Sequence, residues 1–144
     1  MLIGEFNHTL DEKKRVSLPA KFRKELGNRA VITRGLDRCL FVYPAEEWQR
    51  FAEKLSELPM GQKDKRDFTR IFFAGASEVE TDKLGRILIP DHLKDYADLG
   101  ERVVICGMHK RVEIWNESKW NNYRTEVEGQ ADILAEKLGE LGMY

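Results

Sequence analysis

The stretch HTLDEKKRVSLP, residues 8–19, recurs as VETDKLGRILIP, residues 79–90, and this pair decides how the chain is read. Asp11, Arg15, Leu18 and Pro19 match Asp82, Arg86, Ile89 and Pro90 at an offset of 71. Further on, Gly27 matches Gly100 at an offset of 73. Gly35, Tyr43 and Trp48 then match Gly107, Trp115 and Trp120 at an offset of 72. Self-similarity at a fixed period means that one supersecondary unit is used twice. Equal spacing about two Asp-Arg pairs, followed by aligned Gly and aromatic positions, is hard to obtain by chance.

Each copy predicts the same local structure. Val79 to Thr81 and Ile87 to Ile89 are β-prone runs on either side of Asp82-Lys83-Leu84-Gly85-Arg86. Asp at the start and Gly near the end suit a short hairpin loop with Gly in the left-handed conformation. In the first copy Lys14 stands where the second has Gly85. A side chain there costs on the order of 1 kcal/mol, so either the first turn has another shape or the extra cation compensates. After each turn, Pro19 to Gly27 and Pro90 to Gly100 read as short helices, with Pro near the start and Gly past the end. Strands at Ala30–Thr33 and Leu40–Tyr43 follow, joined through Gly35 to Arg38, with counterparts at Arg102–Cys106 and Val112–Trp115. Each unit is thus expected to be two hairpins around one helix.

Apolar residues at helical spacing mark what lies between and after the copies. Pro44 opens a helix carrying Trp48, Phe51, Leu55 and Leu58. A second helix spans Asp64 to Ala74, and a third is expected with Ser118 as its cap. Ile133, Leu134, Leu138 and Leu141 form a last amphipathic stretch. These stripes read as core or subunit contacts. The organisation is repeat one at 5–47, connecting helices at 48–75, repeat two at 76–119 and C-terminal helices at 120–144.

A half of this 144-residue chain is marginal on its own, because so small a unit buries little of its surface. The net charge of -1 conceals a strong asymmetry. Residues 11–38 hold nine Lys/Arg against four Asp/Glu, and residues 116–144 hold three against six. Local charge matters more than the total for choice of partner, although a basic stripe is often only a solvated face. Cys39 and Cys106 sit in apolar runs and suggest a reduced, cytoplasmic protein. No signal peptide or membrane span is legible.

At its paired Asp-x-x-x-Arg turns the chain resembles the MraZ family of bacterial transcriptional regulators, and the wider AbrB/SpoVT-like group of swapped-hairpin proteins. The resemblance runs from Gly4-Glu5-Phe6 through Asp11–Arg15, Pro19–Arg23, Thr33–Asp37 and Phe68–Arg70 to Asp82–Arg86. It implies an α+β, β-dominated fold of two tandem swapped-hairpin units with additional helices, assembled as a ring-shaped homo-oligomer. It also implies a nucleoid-associated protein that binds double-stranded promoter DNA at short repeated boxes and represses the division and cell-wall gene cluster. Carried over, the DNA-facing turns are Asp11, Lys13 and Arg15 in the first copy, and Asp82, Lys83 and Arg86 in the second.

The chemistry of those residues fits such a role. Arg15 presents a planar fork that can reach guanine O6 and N7 or clamp a phosphate. Lys13 and Lys14 supply affinity and salt dependence rather than sequence reading. Asp11 and Asp82 would be repelled by phosphate, so their expected task is to hold the turn and orient the arginine. Lys21, Arg23 and Lys24 lie on the following helix, and at least one is expected to face DNA. A plainer reading, in which Asp and Arg simply close a hairpin, suits the second copy better because it has fewer cations and Leu84 at its tip. Arg34 and Arg38 are as well explained as subunit bridges.

An enzyme has no positive support. His8, His92 and His109 are isolated, and Cys-x-x-Cys, Gly-rich phosphate loops and Gly-x-Ser-x-Gly are absent. No metal, cofactor or small-molecule substrate is expected. The competing reading is an oligomeric protein-interaction or RNA-binding module without promoter specificity.

Overall fold

In the chain's computed structural model, which describes residues 1–143, the two repeats do not stand apart. The strands are β1 (Leu2–Thr9), β2 (Arg15–Ser17), β3 (Arg29–Arg34), β4 (Leu40–Pro44), β5 (Ser77–Glu80), β6 (Arg86–Leu88), β7 (Arg102–His109) and β8 (Val112–Asn116). The helices are α1 (Ala20–Leu26), α2 (Ala45–Ser56), α3 (Lys63–Gly75), α4 (Asp91–Tyr96), α5 (Glu117–Glu128) and α6 (Ala131–Glu140). Six strands form one antiparallel sheet in the order β1-β7-β8-β4-β3-β5, and β2 and β6 form a separate two-stranded ribbon. The repeats therefore complete one another. β1 of the first lies on β7 of the second, β3 takes β5 as its outer neighbour, and β2 forms its ladder with β6.

This corrects the expectation of two hairpins per repeat. The hairpins β3–β4 and β7–β8 are present. Around the Asp-x-x-x-Arg turns, however, the flanking strands part almost at once. Beyond the bond from Asp11 N–H to Arg15 O and one bridge between Leu10 and Val16, β1 leaves for β7. A strand of three residues cannot satisfy its backbone alone, and β2 finds its antiparallel partner in its equivalent in the other repeat, β6.

Side-chain alternation fills both faces of the large sheet. On β4, Leu40 and Val42 join one core while Phe41 and Tyr43 join the other, and on β7 Val103 and Ile105 are divided in the same way from Val104 and Cys106. The first core is closed by Phe22 and Leu26 of α1, Leu93 of α4, and Val16 and Ile87 of the ribbon. The second is aromatic and is closed by α2 and α3 through Phe51, Leu55 and Phe72 and by Trp120 of α5. Phe72 is 1% exposed, and its carbonyl accepts a 2.7 Å bond from buried Thr33 Oγ1, which fixes α3 to β3. Cys39 and Cys106 are free thiols of the aromatic core. Burial pushes both upward, Cys106 to about 12.

Two helix boundaries differ from expectation. The third amphipathic helix is capped by Asn116, whose Oδ1 accepts from Lys119 N–H at 3.1 Å, and Ser118 lies inside the first turn. Asn116 also ends β8, so its cap was hidden within a strand-like run. The helix after the second turn ends at Tyr96 rather than running to Gly100, because Asp98 turns to φ +50° and reverses the chain early. Among the described residues no helix is long and apolar enough to cross a membrane.

Truncating Phe72 to Ala should cost about 3–5 kcal/mol, seen as a lower urea midpoint with an unchanged slope. A loss below about 1 kcal/mol would contradict the anchoring of α3 described above.

Candidate nucleic-acid interface

The two turns have the same construction. Asp11 Oδ1 accepts the backbone N–H groups of Lys13 and Arg15 at 2.9 Å each, and Oδ2 accepts Arg15 Nε at 2.8 Å. Asp82 Oδ1 accepts Leu84 and Arg86 N–H at 2.9 Å each, and Oδ2 accepts Arg86 Nε at 2.9 Å. Only aspartate does all of this in so short a loop, since its carboxylate accepts several donors at once. The backbone bonds from the arginine's own N–H, then the arginine side chain, hold both carboxyls below the ordinary aspartate value. In each turn the clamp engages Nε, and among the described residues no hydrogen bond engages the terminal nitrogens of Arg15 or Arg86.

Lys14 adopts φ +62°, close to the +76° of Gly85, so the first turn keeps the shape of the second despite its side chain. The ammonium of Lys14 meets Asp91 at the start of α4, in the other repeat. The mirror contact is reversed in origin. Arg23 reaches from α1 of the first repeat across the second turn and donates from Nε to Leu18 O at 2.8 Å. Its guanidinium lies in the space where a Cβ on Gly85 would stand. Gly85 is thus required twice over, for its backbone and for the arginine above it.

The ribbon sets these turns side by side. Arg15 is opposite Leu88 and Arg86 is opposite Ser17. Bonds from Ile89 N–H to Lys14 O at 2.8 Å and from Leu18 N–H to Gly85 O at 3.0 Å tie each turn to the far end of the other repeat's strand. Arg86 Nη1 comes within 4.0 Å of Asp11 Oδ2, so one carboxylate faces both arginines. Lys13 and Lys83 are exposed at the two tips. The positive field reaches His8 on β1, which is held below the ordinary histidine value first by burial and then by Arg23.

Of the residues singled out in the sequence, the structure thus gathers Asp11, Lys13, Lys14, Arg15, Arg23, Asp82, Lys83 and Arg86 around the ribbon. Lys21 stands away from the turns, its ammonium 5.5 Å from the centre of the Phe6 ring and 5.9 Å from that of Phe22. Arg34 and Arg38 lie over Tyr96, and Arg34 donates to Ile71 O at 3.2 Å. Asp91 was missed. Its signal was the acid it places where the first repeat has Ala20, opposite the one turn with a lysine in place of glycine.

The family model described as "MraZ protein, putative antitoxin-like" matches the chain twice, over residues 1–71 and 72–138. The chain belongs to the MraZ family. The two matches divide it between the repeats, and known members are similar along nearly the whole length. A protein of Carboxydothermus hydrogenoformans named "Transcriptional regulator MraZ" is 50% identical over 138 residues, 96% of each chain. One of the same name from Natranaerobius thermophilus is 52% identical over 138 residues, again 96% of each. A third, from Acetivibrio thermocellus, is 50% identical over 143 residues, 99% of this chain and 100% of that one. The MraZ name denotes a regulator and not an enzyme.

Gly85→Ala should lower the melting temperature because the new Cβ displaces Arg23, whereas Lys14→Gly, which relieves backbone strain while losing only an exposed pair, should change stability by less than about 1 kcal/mol. Equal melting losses would refute the stated asymmetry. The turns also carry a pH signature. A carboxyl whose folded value is depressed contributes stability in full above its unfolded value of roughly 4. That contribution disappears as pH falls through the lower folded value. Amide chemical shifts of Arg15 and Arg86, followed from pH 5 downward, should therefore have midpoints below that of free aspartate.

Proposed function

We propose that the chain is a sequence-specific DNA-binding transcriptional regulator that reads double-stranded promoter DNA with the β2–β6 ribbon and its two turns, acting as a homo-oligomer. The observation that carries the reading is the pair of adjacent arginines, each clamped at Nε by the aspartate four residues earlier. Holding Nε settles the orientation of a guanidinium before any ligand arrives and leaves its outer nitrogens to donate. That is the geometry needed for two parallel bonds to guanine or phosphate. A two-stranded ribbon is narrow enough for the major groove. Lys13 and Lys83 stand at the flanks as point charges for phosphate, and Lys14 and Arg23 add charge beside the opposite turns.

The relatives named transcriptional regulators favour this reading over a plain structural role for the turns. It treats both turns as DNA-facing, since Arg23 restores to the second the cation that its own sequence lacks. Lys21, engaged with Phe6, is then a peripheral contributor at most. A single ribbon offers few phosphate contacts, and weak binding of about 10⁻⁴ to 10⁻⁶ M would be expected from charge alone. Several ribbons in one ring-shaped homo-oligomer, meeting several repeated boxes, gain about 10² to 10⁴ in avidity. Such binding across a promoter obstructs transcription, which favours a repressor, here of the division and cell-wall cluster, with a nucleoid-associated location.

Anisotropy titration of promoter DNA at several salt concentrations tests the proposal. Arg15→Ala and Arg86→Ala should each weaken binding by about 1–3 kcal/mol and relax preference at particular bases. Lys13→Ala and Lys83→Ala should weaken all sequences alike and reduce the salt slope by about one. Unchanged affinity in both arginine variants, with the assembly intact, would refute the assignment.

A further inference from the structure

Two leucines stand uncovered on the ribbon and its second turn. Leu84 is 65% exposed at the tip of that turn, and Leu88 is 56% exposed on β6. Exposed leucines scattered singly need no explanation, but these two stand on either side of Arg86 in one short run of the chain. Strand alternation turns Ile87 into the core, where it is 1% exposed, and sends Arg86 and Leu88 to the opposite face. Across the ribbon Leu88 is opposite Arg15, the relation in which cross-strand side chains are neighbours. The tip is held as firmly as the strand. Leu84 N–H donates to Asp82 Oδ1 at 2.9 Å, and Gly85 N–H donates to Asp82 O at 3.0 Å.

The first repeat has nothing apolar at these two places. At the offset of 71, Leu84 corresponds to Lys13 and Leu88 to Ser17. Cations surround the leucines: Lys83 precedes Leu84, Arg23 lies across Gly85, and Arg15 is opposite Leu88. Apolar groups set among guanidinium and ammonium groups fit a polyanion that itself carries apolar groups close to its phosphates. The major groove of DNA is such a surface, since thymine shows a 5-methyl group there and cytosine an amino donor.

We infer that Leu84 and Leu88 read thymine, packing on its 5-methyl group beside the base edge that Arg86 meets. This rests on the proposed reading of the ribbon and adds a second base chemistry to it. An arginine fork selects guanine. A leucine favours thymine over cytosine, because it covers a methyl group in one case and strands an amino donor in the other. Burying one methyl group is worth roughly fourfold in affinity. With the leucines confined to the second repeat, the two turns read unlike bases, and one chain seats on a box in a single direction.

The test compares promoter DNA made with thymidine and the same DNA made with deoxyuridine throughout, which lacks only the 5-methyl groups. Anisotropy titrations use the full-length chain in its assembled state. The parent should bind the deoxyuridine DNA more weakly by about fourfold or more. Leu84→Ala and Leu88→Ala should each weaken binding to thymidine DNA and shrink that ratio, and the double variant should bind both DNAs alike within about twofold. Lys13→Ala, which removes a phosphate contact, should weaken both alike and keep the ratio. A parent that does not distinguish the two DNAs overturns the inference. A ratio that persists in the double variant does so too, because the methyl groups then act through DNA shape alone. A fall in assembled mass by light scattering for either leucine variant would place that leucine in a protein contact and equally overturn it. If Arg15→Ala and Arg86→Ala still lose affinity in those cases, the assignment of the turns stands and only the role of the leucines falls.

Discussion

Among the described residues, two strands of three residues, β2 and β6, have no strand partner within their own repeats beyond the single Leu10–Val16 bridge, and their pairing with each other is what the rest of the molecule hangs on. It brings the two Asp-x-x-x-Arg turns to one surface, places each beside the other repeat's helix, and closes one face of the large sheet through Val16 and Ile87. Once β2 and β6 are paired, β1 and β5 are free to add to strands of the opposite half. The alternation of repeats across one sheet and the presence of a continuous core beneath it follow from that exchange. The reason lies in ordinary backbone accounting. Donors and acceptors near a core must be satisfied, and these two short strands satisfy theirs against each other.

The approximate two-fold relation between repeats is broken where the turns meet the helices. Position 14 is lysine and faces Asp91, whereas its equivalent, position 85, is glycine and lies beneath Arg23. Each arrangement puts a long cation near the junction of one repeat's turn with the other's helix. In one case it comes from the turn and in the other from the helix. A dimer of identical single repeats could not hold both solutions, since one residue type would have to serve both places. Joining the repeats in one chain permits the difference, and the surface that results has two related but unequal halves.

Much of this was legible in the residues. The paired turns, the hairpins β3–β4 and β7–β8, the helix punctuation by Pro19, Pro44 and Pro90, and the candidate cations could all be read from spacing and residue chemistry, because these features are local. What escaped was relational. β1 reads as a partner for β2 until the structure shows it on β7, and nothing in a pair of three-residue runs announces that they prefer each other across 71 residues. Asn116 was overlooked as a cap because it closes a strand and opens a helix at one position. Asp91 and Arg23 matter through contacts between repeats, and a reading taken one repeat at a time cannot find them.

The pairing of β1 with β7 joins Leu2 to His109, nearly the two ends of the folded body. A chain leaving the ribosome therefore makes its first strand long before the strand that will hold it exists. Until β7 emerges, β1 has an unpaired edge, and the first repeat lacks both β5 on its outer side and β6 on its ribbon. Contacts of such separation carry a large loop-closure cost before they give anything back, and they slow folding. Birth of the protein is thus a waiting problem: the N-terminal half must be kept from finding a substitute edge on a neighbouring nascent chain until its own second half arrives.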